Sequence, residues 1–330
     1  MLKEQRKKID WAKVDWSRFT VLVVMVLMII LFNHLSEHFL TWRNVRNILR
    51  QVSMYGICAV GMTFVIMVNG VDLSMSSTIG VASVACVMMC NMGIPLWLNI
   101  LICIIIGMVI GVGNGFFINE VGMFPMMATM GMQILLRGVA YIITNGIPVM
   151  GVSDSLLFIG QGYVGGIPFP VIIMVVLFVI GIFVLHKTTY GRQVYAVGGN
   201  EEAARLAGIS YKKVRYIAFM AAGVCAAIAG IIYSGRVNSG QPTAGNAYEQ
   251  NIISACVLGG VRMGGGEGNM EGVLMGVVFM GILANGMSLL NVPEFWQMFV
   301  RGSVLLAAVS FDFYTRNRSK KLQSKVALKK

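Results

Sequence analysis

Apolar residues run along this chain in blocks of roughly twenty, parted by short polar or glycine-rich breaks. A helix needs about 20 mostly apolar residues to cross a bilayer. On that criterion spans are expected at 17–35, 51–69, 74–92, 96–119, 123–144, 168–186, 214–234, 272–290 and 295–313. A further stretch, 252–262, is apolar but too short alone. It reaches span length only by extension back through Ala247, which takes in Glu249 and Asn251. Counting it gives ten crossings, an all-α polytopic membrane protein.

Composition strengthens this expectation. Of the 330 residues 57% are hydrophobic and 12% charged, whereas a soluble domain carries about 25% charged residues. Soluble enzymes, disordered regulators and disulfide scaffolds are thereby excluded. The six cysteines all lie in apolar stretches without a C-x-x-C pair, as small core residues do. The leading apolar run follows a long charged segment and ends in Asn33-His34-Leu35, with no small-residue cleavage pattern. It is expected to stay as the first span.

The net charge of +12 changes the picture through its placement. Nineteen of the 26 Lys and Arg fall in 1–18, 186–215 and 316–330. Basic loops stay on the cytoplasmic side and meet anionic lipid there, so no nucleic-acid partner is expected. The resulting division is a basic cytoplasmic N-terminus, 1–16, a single membrane domain, 17–313, and a basic cytoplasmic tail, 314–330. An even number of crossings puts both ends inside, with loop 187–213. Loop 145–167, which has no Lys or Arg, falls outside. Arg43, Arg46 and Arg50 fit poorly, because they fall on the expected outside.

Spans two to five and seven to ten form blocks of similar length that start on opposite sides. That is the arrangement of an inverted repeat. The breaks at Asn69-Gly70-Val71-Asp72-Leu73-Ser74 and at Gly259-Gly260 through Gly266 are expected at matching places. Asp72 either lines a route at this break or caps the following helix. Arg137 and Arg301 occupy corresponding spans and are expected to pair with acidic groups or with carbonyls freed at the breaks. Gly107, Gly111 and Gly115 recur every four residues, a pattern that lets helices approach closely. The run Gly264-Gly265-Gly266-Glu267-Gly268-Asn269 lacks the Lys-Ser/Thr of a phosphate-binding loop, so no ATPase is visible. His34, His38 and His186 sit at span ends and cannot converge on an active site.

Within loop 187–213, Asn200 is placed to cap a short helix, with Glu201 and Glu202 in its first turn and Gly208 past its end. Ala203, Leu206 and Ala207 share one face. So short a helix is marginal alone. It is either a docking element for a partner or a surface turn packed on the bundle.

Three stretches carry a resemblance. The run 65–74 (VIMVNGVDLS) resembles the "vILtGGIDLSvGS" signature of ribose/xylose/galactose-type ABC importer permeases. The run 190–200 (YGRQVYAVGGN) resembles their "G..vyAiGGN" loop. Gln241-Pro242-Thr243-Ala244-Gly245, Tyr248-Glu249 and Val257-Leu258-Gly259-Gly260 resemble their "qpt.G..yELdaIAavvlGG" stretch. The sequence departs from these patterns at Ser76, where the family has glycine, and at Asn251, where it has an acidic residue.

This resemblance implies a ten-helix, non-enzymatic permease of the bacterial inner membrane that imports a pentose or hexose. It implies a second permease chain, identical or not, and an extracytoplasmic sugar-binding protein. It also implies a cytoplasmic ATP-binding subunit that carries the ATP and Mg²⁺, leaving no cofactor or metal on this chain. Asn69, Asp72, Ser74, Gly259 and Gly260 are then expected along the translocation path. Gly199, Asn200, Glu201, Ala204, Arg205 and Gly208 belong to the expected ATPase-coupling helix. An ion-coupled sugar carrier, with Asp72 as its ion site, is the competing expectation.

Overall fold

The computed structural model describes residues 16–327. The expected basic N-terminus lies outside these residues except for Trp16. Thirteen helices and one short β-hairpin make up the described chain. Six helices are long and apolar enough to cross a membrane: α2 (Trp42–Met67), α4 (Leu96–Asn119), α5 (Pro125–Thr144), α7 (Phe169–Lys187), α10 (Tyr211–Val237) and α12 (Met270–Leu289). Further apolar helices are α1 (Trp16–Leu35), α3 (Met75–Asn91) and the short α11 (Tyr248–Leu258).

Packing sorts these helices by sequence. α2, α10 and α12 are mostly buried, whereas α4, α5 and α7 turn Ile, Leu, Val and Met outward. Ile142 of α5 is 78% exposed and Ile134 is 68% exposed. Water would punish such a surface and lipid does not.

α10 forms the centre, gripped by α2, α3 and α4. The expected glycine stripe makes the α4–α10 approach possible. A Cβ on Gly107 would lie 2.3 Å from Gly223 O, one on Gly111 2.3 Å from Phe219 O, and one on Gly115 2.5 Å from the Tyr216 ring. Backbones this close gain dispersion and weak hydrogen bonding that larger residues would forbid.

Several boundaries differ from the sequence expectation. α2 starts nine residues early, where Thr41 caps it by accepting from Asn44 N. It therefore absorbs Arg43, Arg46 and Arg50. Arg46 stacks on Trp42 and Tyr163, Arg50 stacks on Tyr163, and Arg50 donates to Gln161 O at 2.7 Å. Arg46 and Arg50 are thus held by rings and, for Arg50, by a carbonyl.

The expected loop 145–167 folds as α6 (Asp154–Gln161), capped by Ser153, followed by β1 (Tyr163–Val164) paired antiparallel with β2 (Ile167–Pro168). Loop 187–213 holds two helices, α8 (Thr189–Gly199) and α9 (Glu201–Leu206). α13 (Glu294–Ala327) continues as helix through most of the expected tail.

The breaks also fall differently. α2 and α10 both stop at an asparagine in the left-handed region, Asn69 at φ 61° and Asn238 at φ 57°. In chain order the counterpart of the 69–74 break is thus 238–247, ahead of α11. The glycine run 259–269 is a further break, between α11 and α12.

Candidate functional site

The α8–α9 segment sits where several helix ends meet. Thr188 accepts from Gly191 N at 3.2 Å to start α8. At its other end α8 comes against the last turn of α2. A Cβ on Gly198 would lie 1.8 Å from Met67 O and 2.4 Å from Gly266 N, so only glycine fits. Asn69 Nδ2 donates to Gly198 O at 3.1 Å, and Gly266 N donates to Met67 O at 3.0 Å. Tyr195 Oη donates to Gly268 O at 2.8 Å, and burial pushes this phenol above its usual range. α8 is thereby tied to the break after α2 and to the break before α12.

α9 stands on this base. Asn200 Oδ1 accepts from Ala203 N at 3.0 Å, and Gly208 ends the segment at φ 81°. Ala204 is buried, whereas Ala203, Leu206 and Ala207 are exposed, Leu206 to 80%. The two charges of the expected coupling helix, Glu201 and Arg205, have different partners. Arg205 pairs at the surface with Glu202 at 2.6 Å, a contact worth little. Glu201 faces inward and bonds the buried Arg215 of α10 at 2.6 Å. Arg215 also donates to Asn119 Oδ1 at 3.2 Å, and Lys212 bonds Glu120 at 2.7 Å. α9 is therefore fixed to the base of α10 and, through it, to the end of α4.

At the first break Asp72 is buried, and its Oδ1 accepts from Ser74 N at 2.9 Å, Ser74 Oγ at 2.6 Å and Asn114 Nδ2 at 3.3 Å. Asn114 also donates to Ser74 Oγ at 2.8 Å. The carboxylate does the work of a cap in a closed polar cluster shared with α4. Loss of a buried donor costs about 1–3 kcal/mol. Asn114→Ala is therefore expected to lower the thermal midpoint of the detergent-purified chain by a few degrees.

Of the other residues expected along a path, Asn69 and Gly260 are exposed near the α8–α9 end. Gly259 packs against Gly272, whose backbone leaves no room for a Cβ.

Sequence reasoning named Arg137 but not the rail it belongs to. On α5, Thr129, Gln133 and Arg137 follow one another at four-residue spacing and so share a face. Thr129 Oγ1 donates to Val71 O at 3.0 Å, and Gln133 Nε2 donates to Ser76 Oγ at 2.9 Å. The Arg137 guanidinium donates to Pro242 O, to Ala244 O at 2.9 Å and to Ser76 O at 3.1 Å. One side chain thus joins the first turn of α3 to the break after α10, through carbonyls, while Thr129 holds the break after α2. Arg301 of α13 instead donates to Gln297 Oε1 at 2.8 Å. The four-residue polar spacing was the available signal for the rail.

Comparison with known proteins gives the family. Residues 44–309 match the family described as branched-chain amino acid transport system / permease component. The ribose import permease protein RbsC of Bacillus subtilis is 40% identical over 290 residues, 87% of this chain and 90% of the relative. RbsC of Escherichia coli K12 is 38% identical over 88% of this chain and 92% of the relative. The xylose transport system permease protein XylH of Haemophilus influenzae is 33% identical over 93% of this chain and 98% of the relative. No solved structure matches. With its apolar helices, closely crossed core and family match over most of its length, the chain is a multi-pass membrane permease of the branched-chain amino acid transport system / permease component family.

Proposed function

We propose that this chain is the membrane permease of an ATP-driven importer for a monosaccharide, a pentose or hexose. It crosses the membrane ten times, through α1–α5, α7 and α10–α13. Both termini and the α8–α9 segment face the cytoplasm. Basic segments at both ends and in 187–213 support that orientation. The exposed face of α9, with Ala203, Leu206 and Ala207, docks on a cytoplasmic ATP-binding subunit that carries ATP and Mg²⁺. This chain holds no cofactor of its own. An extracytoplasmic binding protein delivers the sugar, and a second permease chain completes the translocation unit. The ribose and xylose relatives support the choice of sugar class.

The observation that carries this reading is the α8 junction. A displacement of α9 reaches the 69–74 break through Gly198 and Asn69, and the 259–269 break through Gly266 and Tyr195. It reaches α10 and α4 through Glu201, Arg215 and Asn119. Closure of the ATPase pair then biases the permease between states open to either side.

Two experiments test the reading. Proteoliposomes with the chain, its ATPase partner and its binding protein are expected to take up ribose or xylose only with ATP. Uptake by the chain alone, driven by an ion gradient, would establish the carrier instead. Within the complex, Glu201→Arg is expected to cut uptake about tenfold, with Arg215→Glu in the double variant restoring part of it. Additive losses in that cycle would remove the Glu201–Arg215 link from the coupling route.

A further inference from the structure

The stretch 238–247 is irregular backbone at membrane depth. It leaves the outer end of α10 where Gly240 and Val149 exchange backbone hydrogen bonds at 2.8 Å. It descends to Arg137, which lies twelve residues along α5 from the α8–α9 end, about 18 Å at a helical rise of 1.5 Å. α11 then returns toward that end, with Gln250 eight residues, about 12 Å, before Leu258. The hydrocarbon core is about 30 Å thick, so this segment brackets the midplane.

Its outward groups are polar. Thr243, Asn246 and Gln250 are exposed, and Glu249 is half-buried with an Oε2 that is shielded from solvent and lacks a partner. Gln133 and Arg137 stand partly exposed beside them. Hydroxyl, amide and carboxylate groups at this depth cannot face acyl chains. The neighbouring face of α5 shows the contrast, because Met130 and Ile134 are exposed there and wholly apolar.

We propose that Thr243, Asn246, Glu249 and Gln250 form the hydrated surface along which the solute passes, with Gln133 and Arg137 holding its base. This deepens the permease reading and rests on it. The chemistry fits a neutral polyhydroxylated solute. Amides and a hydroxyl both donate and accept, as the hydroxyls of a sugar do. The Arg137 charge is occupied by three carbonyls and is not free to select an anion. Arg137 is here a positioning residue. The expected path residues Asp72 and Ser74 are instead buried in their cluster with Asn114.

The test uses the assembled complex in proteoliposomes. Thr243→Cys and Gln250→Cys are each exposed to a charged, membrane-impermeant methanethiosulfonate, with Ile134→Cys as a lipid-facing control at similar depth. The unaltered chain serves as the blank, since five of its six cysteines are buried. Both path variants are expected to react at least about tenfold faster than Ile134→Cys, and Gln250→Leu to lower ribose or xylose uptake about tenfold. Reaction no faster than the control would overturn the proposal and mark a dry seal, as against a second chain. Normal uptake by Gln250→Leu would overturn it as well. If the unaltered complex takes up sugar with ATP while these results fail, only this inference falls. If the unaltered complex takes up none, the permease reading falls first.

Discussion

Gly198→Ala is expected to abolish ATP-driven uptake in the assembled complex, while Gly199→Ala leaves it intact. The two glycines are neighbours in one coupling segment, so composition and helix propensity change alike in both variants. Their surroundings differ completely. A methyl at Gly198 would sit 1.8 Å from Met67 O and 2.4 Å from Gly266 N, both backbone atoms with no rotamer to retreat into. At Gly199 a methyl meets nothing within 4 Å. Relief at Gly198 requires α8 to lift away from α2, which breaks the Asn69–Gly198 and Gly266–Met67 hydrogen bonds. Overpacking of this kind costs about 1–3 kcal/mol. Because the strain falls on the joint itself, it should appear as lost coupling. ATP hydrolysis by the complex should persist while uptake drops at least about tenfold. Uptake by Gly198→Ala equal to that by Gly199→Ala would mean that the junction transmits nothing.

What the sequence disclosed follows from the range of the interactions involved. The Gly107-Gly111-Gly115 stripe was legible because its four-residue period lies within one helix, and α10 receives it. The cap at Asn200 was legible because a cap acts over three residues. α8 was hidden because Gly191, Gly198 and Gly199 read as breakers. Two of them are there to let backbone touch backbone, and for Gly198 the reason is written in Met67 and Gly266, far off in the chain on either side. The start of α2 was hidden by Arg43, Arg46 and Arg50, since part of what shelters two of them, Tyr163 and Gln161, lies in the hairpin and α6. Asp72 showed its capping chemistry but not its partner Asn114, which belongs to α4. The segment 238–247 stood out only through its family resemblance, because its polar residues are indistinguishable from surface residues until their depth is known. The glycine run 259–266 drew attention instead, and it marks a different break.

Arg137→Met is the second change expected to have a large effect, and Arg137→Lys separates its causes. The guanidinium serves Pro242 O, Ala244 O and Ser76 O at once. Its planar fork suits three acceptors in different directions. Methionine keeps the length and apolar stem but supplies no donor. The carbonyls of Pro242 and Ala244, both buried residues, then lose their side-chain donor, each at a cost of about 1–3 kcal/mol. A Cβ on Gly80 would come 2.8 Å from Arg137 Nη1, so α3 is shaped around this side chain and would close on the gap imperfectly. Lysine retains the charge and three rotatable donors, but from a single point. The expected order of thermal midpoint in detergent is Arg, then Lys, then Met, with Met lower by at least several degrees. Uptake should follow the same order and fall further than stability alone explains, because the brace spans both halves of the permease. An Arg137→Met variant that transports and melts like the original would show that the carbonyls find other donors and that the two breaks move independently of α5.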